Sequence, residues 1–131
     1  MKRSVLKDGK MLRECIEQYN YYRSGNNQMV VYTCLRDSRV FIPCKAGRAD
    51  DMAFIKQNGK RFLPAFSNKA QYGEKADTAS LEEKEFLDVI KAAQFAQVDG
   101  ILVDPYTSSF LVEPTEYETI SRMITRITSE D

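Results

Sequence analysis

Leu12, Cys15, Ile16, Tyr19 and Tyr22 recur at three- and four-residue steps between Met11 and Tyr22. That spacing gathers them into one apolar stripe and predicts an amphipathic helix. Asp8 is its expected N-cap, with Gly9 just inside. Ser24-Gly25-Asn26-Asn27 breaks the period and reads as a loop. Two β-branched and aromatic runs follow, Gln28–Leu35 and Val40–Lys45, separated by Arg36-Asp37-Ser38-Arg39. They predict a hairpin turning at Asp37-Ser38, with Arg36 opposite Arg39, Leu35 opposite Val40 and Val31 opposite Cys44. Two arginines side by side count against that register.

A second hairpin is predicted over Met52–Gln57 and Lys60–Phe66, because Asn58-Gly59 suits a type I′ turn whose two positions need positive φ. Its register sets Gln57 against Lys60, Ile55 against Phe62 and Phe54 against Leu63. Pro64 lacks an amide donor, so its strand is expected at an edge or irregular from that point. Ser67–Ala79 is small and polar, a loop with a short helical turn. Ser80-Leu81-Glu82-Glu83 reads as a capping box opening a helix whose buried face is Phe86, Val89, Ile90, Ala93 and Ala96. Ile101-Leu102-Val103 reads as a buried central strand ended by Asp104-Pro105. After Phe110-Leu111-Val112, a second capping box at Thr115–Glu118 predicts a C-terminal helix burying Tyr117, Ile120, Ile124 and Ile127. The connection through 80–96 is long enough to cross over and lay strand 100–104 parallel to a neighbour. The fold class is therefore α+β: a mixed, mostly antiparallel sheet of about five strands, two hairpins plus a crossover strand, packed with helices.

The 131 residues suit a single domain, 1–131, with no internal repeat or linker. No apolar run exceeds four residues, against about twenty for a membrane span. Met1-Lys2-Arg3 leads into no apolar stretch, so neither a signal peptide nor a membrane partner is expected. The 19 basic and 19 acidic residues cancel, which argues against nucleic acid as a partner. The balance is uneven along the chain: 14 basic against 6 acidic through residue 69 (+8), then 5 against 13 (−8). Segregated on a surface, that split favours weak, salt-sensitive self-association; interleaved by folding, it leaves a mixed surface.

There is no histidine, which removes the commonest general base and the commonest metal ligand together. Cys15, Cys34 and Cys44 form no C-x-x-C pair, so no metal and no cofactor is expected. Their apolar neighbours suggest buried thiols in a reducing cytoplasm. Only Lys45, beside Cys44, offers a local cation to activate one. Adjacent Asp50 and Asp51 suit a solvated loop better than a metal site.

Arg61-Phe62-Leu63-Pro64-Ala65-Phe66-Ser67-Asn68, then a helix ending at Asp99-Gly100, then Ile101-Leu102-Val103-Asp104-Pro105-Tyr106, resembles the SseB N-terminal domain family of bacterial enhanced-serine-sensitivity proteins. The resemblance spans roughly residues 28–125 and lies in the order and spacing of these strands. It implies the fold and a bacterial cytoplasm; it supplies no catalytic residue. Longer members carry a second domain for which this chain has no room.

For function, two readings follow. Phe62, Pro64, Phe66, Pro105, Tyr106 and Phe110 flank the predicted central strands, where aromatics beside a strand edge hold a protein or peptide partner by strand addition or in a groove. The simpler account places each of them in the core. Alternatively, Asp104 at the C-terminal end of a strand, with its aromatic neighbours, serves a small enzyme or small-ligand site, although Asp before Pro is equally a turn former. The first reading, a non-enzymatic interaction module, is the expectation.

Overall fold

The computed structural model describes residues 1–44, 52–78 and 80–131; Lys45, Asp50, Asp51 and Ala79 lie outside them. The first stripe folds as α1 (Lys10–Tyr21) and buries Leu12 and Ile16. A 3-10 segment, Arg3–Gly9, leads into it through two left-handed residues, Asp8 (φ 61°) and Gly9 (φ 70°). Gly9, not Asp8, is the N-cap, and no side chain caps the helix. A Cβ at Gly9 would lie 2.4 Å from the Ser67 carbonyl oxygen. Only glycine permits both that φ and that approach.

The expected first hairpin is absent. Ser24 is not in a loop but is the N-cap of α2 (Gly25–Asp37), its Oγ accepting from the Asn27 amide at 3.1 Å. Residues 28–35 are helical because Val31, Tyr32, Cys34 and Leu35 then share one buried face. The strand that follows, β1 (Arg39–Cys44), pairs antiparallel with β4 (Ser80–Glu85), which sets Arg39 opposite Glu85 and Val40 opposite Lys84. The like-charge conflict of Arg36 against Arg39 is thereby avoided: Arg39 faces a carboxylate at 3.8 Å, and Arg36 Nε donates to the Met123 carbonyl. Leu81–Glu85 is therefore strand, not the first turn of a helix. The helix, α3, starts at Phe86 and runs to Ala96, burying Phe86, Val89, Ile90 and Ala93 as expected, with Ala96 partly buried.

The second hairpin forms but is shorter than expected. β2 (Ile55–Gln57) pairs with β3 (Lys60–Ala65) in the predicted register, Ile55 to Phe62 and Gln57 to Lys60, through Asn58 (φ 52°) and Gly59 (φ 77°); Phe54 lies before β2, so the expected pair with Leu63 does not form. β3 is central: it runs parallel to β5 (Ile101–Val103), which pairs antiparallel with β6 (Phe110–Val112). The four-stranded order is β2-β3-β5-β6, and β1-β4 joins it at a bridge between Phe41 and Phe66. The fold is thus α+β, with six strands among the described residues in a mixed arrangement. Pro64 is tolerated because amides alternate sides along a strand. The Leu63 amide donates to Gly100 on the β5 side and the Phe66 amide to Phe41 on the other. Pro64 faces that second side beyond the last β2 pair, Ile55 with Phe62, and before the Phe41–Phe66 bridge to β1.

The C-terminal helix is shorter than expected. A 3-10 turn at Pro114–Glu116 leads to α4, only Tyr117–Ser121, which buries Tyr117 and Ile120. Ile124 is 86% exposed and Ile127 only half-buried, because the chain beyond Arg122 leaves the helix and runs back to the N-terminus. The Arg3 amide donates to Ser129 and the Thr128 amide to Met1. No helix among the described residues is long and apolar enough to cross a membrane.

Candidate functional site

Asp104 closes β5 in a left-handed conformation (φ 47°) and is fully buried. Its Oδ1 accepts from the Ser67 amide at 2.8 Å and its Oδ2 from the Ser67 hydroxyl at 2.7 Å. The Ser67 oxygen in turn accepts from Arg13 Nη1 at 3.0 Å, and that nitrogen also donates to the Asp8 carbonyl. Burial pushes the Asp104 carboxyl up from its usual range, against the two Ser67 bonds and the Arg13 charge, which lower it. The Asp104 carbonyl accepts from the Thr107 and Ser109 amides. Both carboxylate oxygens are occupied, and the group locks the loop after β5 to the loop after β3.

The aromatic candidates separate by depth. Phe62, Pro64, Phe66 and Phe110 are buried, Pro105 is half-buried, and Tyr106 is 48% exposed. Phe66 meets Tyr72 edge-on at 4.9 Å and Tyr106 at 5.7 Å, whereas Phe110 packs against Tyr19 and Tyr32 from the other side. The structure thus joins Phe66, Tyr106 and Asp104 around the β3 and β5 ends. It sends Phe110 into the core beneath α1 and α2.

Beside this cluster lies a cleft of about 580 Å³. That volume falls within the span of small-ligand and peptide sites. Its walls are the 3-10 segment (Arg3, Lys7), β1 (Arg39, Phe41), the loop after β3 (Ser67–Ala70) and the C-terminal residues Glu130 and Asp131. Arg3 Nε donates to Glu130 at 2.7 Å and holds that carboxyl below its usual range. Asp37 is buried and accepts from Thr125 Oγ1 (2.7 Å) and the Arg126 amide (2.9 Å). Lys69 Nζ stands 5.6 Å from the Phe41 ring centre, and Lys7 makes no ion pair among the described residues. None of these cleft residues was a sequence candidate. They come from both ends of the chain and from two interior segments, so no spacing rule connects them.

Cys34 and Cys44 are buried on different elements, while Cys15 is only half-buried.

The family model for the SseB protein N-terminal domain matches residues 12–118, most of the chain. The chain belongs to that family. No curated protein matches it. The matched span contains Asp104, Ser67 and the central strands of this SseB-type domain, whereas Arg3, Lys7, Glu130 and Asp131 of the cleft fall outside it.

Proposed function

We propose that this SseB-type domain is a non-enzymatic interaction module of a bacterial cytoplasm, and that a peptide segment of a partner protein occupies the cleft between the paired termini and β1. The observation that carries the reading is the state of the ionisable groups. The buried carboxylates, Asp104 and Asp37, have both oxygens committed to bonds within the fold. The cations at the cleft rim, Lys7 and Lys69, point no such bond inward and are exposed. Accessible cations at a rim steer and orient a partner of opposite charge. Tyr106, on the loop after β5 and outside the cleft lining, packs on Phe66 and adds a half-exposed aromatic anchor, with Pro105 stiffening its backbone.

The test is affinity capture from a lysate of the native cell with the wild-type chain and with the double variant Lys7→Glu/Lys69→Glu. Both positions are exposed, so the fold tolerates the change within about 0.5 kcal/mol. A discrete protein retained by the wild type and released by the variant, with unchanged circular dichroism, is the expected outcome. Identical retention by both chains would place any partner elsewhere.

A further inference from the structure

We propose that residues 122–131 form a strap that closes the cleft from within, Glu130 holding Arg3 where a partner's carboxylate would sit, and that the segment admitted when the strap lifts is acidic. Its role rests on the cleft being the peptide site assigned above. Along residues 122–131 no side chain is buried, and Ile124 is 86% exposed. Polar bonds hold the strap down. Asp37, buried at the end of α2, accepts from Thr125 Oγ1 at 2.7 Å and from the Arg126 amide at 2.9 Å. Arg36 Nε donates to the Met123 carbonyl at 2.7 Å. Farther along, the Thr128 amide donates to Met1 and Ser129 accepts from the Arg3 amide. A segment fastened in this way, with few buried apolar contacts, opens at a fraction of the free energy of global unfolding.

The strap also partitions the binding space. Arg3, Asp37 and Glu130 line both the cleft and a second opening of about 260 Å³, so lifting the strap joins the two. The charge balance shifts at the same time. With the strap down, the cations of the cleft lining, Arg3, Lys7, Arg39 and Lys69, face five carboxylates, of which Glu130 and Asp131 belong to the strap. With it lifted, Asp37 keeps Arg36 at 3.6 Å and Arg39 keeps Glu85 at 3.8 Å. Arg3, Lys7 and Lys69 are then set against Asp8 and Glu83. Arg3 loses its 2.7 Å bond to Glu130, yet its side chain is only 23% exposed. A largely desolvated guanidinium is costly without a counter-charge, and a carboxylate of the incoming segment restores one. Charge complementarity therefore selects an acidic segment over a neutral or basic one.

The first measurement is hydrogen exchange on the folded chain, without any partner. The Arg3, Arg126 and Thr128 amides are expected to exchange together, well ahead of the Leu63 amide of β3. Thr125→Val removes the hydroxyl bond to Asp37 at an exposed position, and should speed all three by roughly ten-fold while Leu63 is unchanged. The second measurement is binding of a fluorescent tetraglutamate peptide, with tetralysine as control. A ligand that needs the open state gains affinity by the factor by which opening rises, so Thr125→Val should bind tetraglutamate about ten-fold more tightly than the wild type. Strap amides that exchange with Leu63, or independently of one another, would overturn the strap. Equal tetraglutamate affinity in the two chains would overturn it too, while leaving the cleft as a peptide site. Tetraglutamate binding to neither chain, or a preference for tetralysine, would overturn the acidic segment. Tetraglutamate binding that survives Lys7→Glu/Lys69→Glu unchanged would instead fail the cleft reading, and the strap's role with it.

Discussion

Ser67 donates twice to one carboxylate and accepts once from a guanidinium, so a single small residue holds a buried acid in place. The sign of the pH effect follows from burial. Asp104 titrates higher in the folded chain than in the unfolded one, where a carboxyl sits near 3.9. The folded state therefore binds the proton more tightly. Stability associated with this group is present at low pH and declines as pH rises from about 4 through the folded value. The Ser67 bonds limit that decline by favouring the ionised form. Ser67→Ala removes the hydroxyl bond, pushes Asp104 higher still and leaves Arg13 without one acceptor. We expect a loss of roughly 1.5–3 kcal/mol at pH 7, the range for hydrogen bonds to charged groups. The loss should shrink near pH 2.5, well below the ordinary carboxyl value of about 3.9, where the carboxyl is protonated in both states. Urea unfolding at the two pH values is the measurement, and an equal loss at both would separate Ser67 from the charge of Asp104.

The helix over residues 25–37 owes its start to one hydroxyl and its identity to a neighbour. Gln28–Leu35 is rich in β-branched and aromatic residues, the composition of a strand, and short apolar runs do not distinguish strand from buried helix by period. The deciding interactions are the Ser24 cap and the packing of Val31 and Leu35 on α1, a tertiary contact invisible in local spacing. Ser24→Ala should cost about 1 kcal/mol, within the usual 0.5–2 for a lost N-cap. It should also speed amide exchange at Asn27 selectively, and a variant with unchanged exchange there would deny the cap its role. The Asn58-Gly59 hairpin, by contrast, was legible to the residue, because a two-residue turn with positive φ at both positions fixes register by itself. Ile101–Val103 was legible as a buried strand, and Asp104 as the residue ending it. Leu81–Glu85 was not, since its acidic run mimics a helix start and only the unpaired edge of β1 makes it a strand. The cleft was the least legible feature, for its walls lie as far apart in the chain as Arg3 and Glu130.

Across the whole molecule, folding brings part of the +8 half against the −8 half. Among the described residues Arg3 meets Glu130 and Arg39 meets Glu85, each pairing a first-half cation with a second-half carboxylate, while the Arg36–Asp37 and Arg122–Glu118 pairs each stay within one half. Such pairing reduces the dipole that a segregated split would produce, but it does not remove Lys7, Lys69, Glu82 or Glu83 from the surface. Exposed ion pairs contribute at most about 1 kcal/mol each, so contact between two copies needs an apolar centre as well. Of the aromatics Phe66 and Tyr106, Phe66 is enclosed and Tyr106 is half-exposed. We therefore propose that self-association is weak and electrostatic. Salt discriminates, because the screening length falls from about 30 Å at 0.01 M to about 3 Å at 1 M. Sedimentation equilibrium should find concentration-dependent association at 0.01 M that is lost by 1 M. A dimer indifferent to salt would require an apolar interface that Tyr106 alone does not supply. A monomer at every ionic strength would mean that folding had neutralised the charge asymmetry completely.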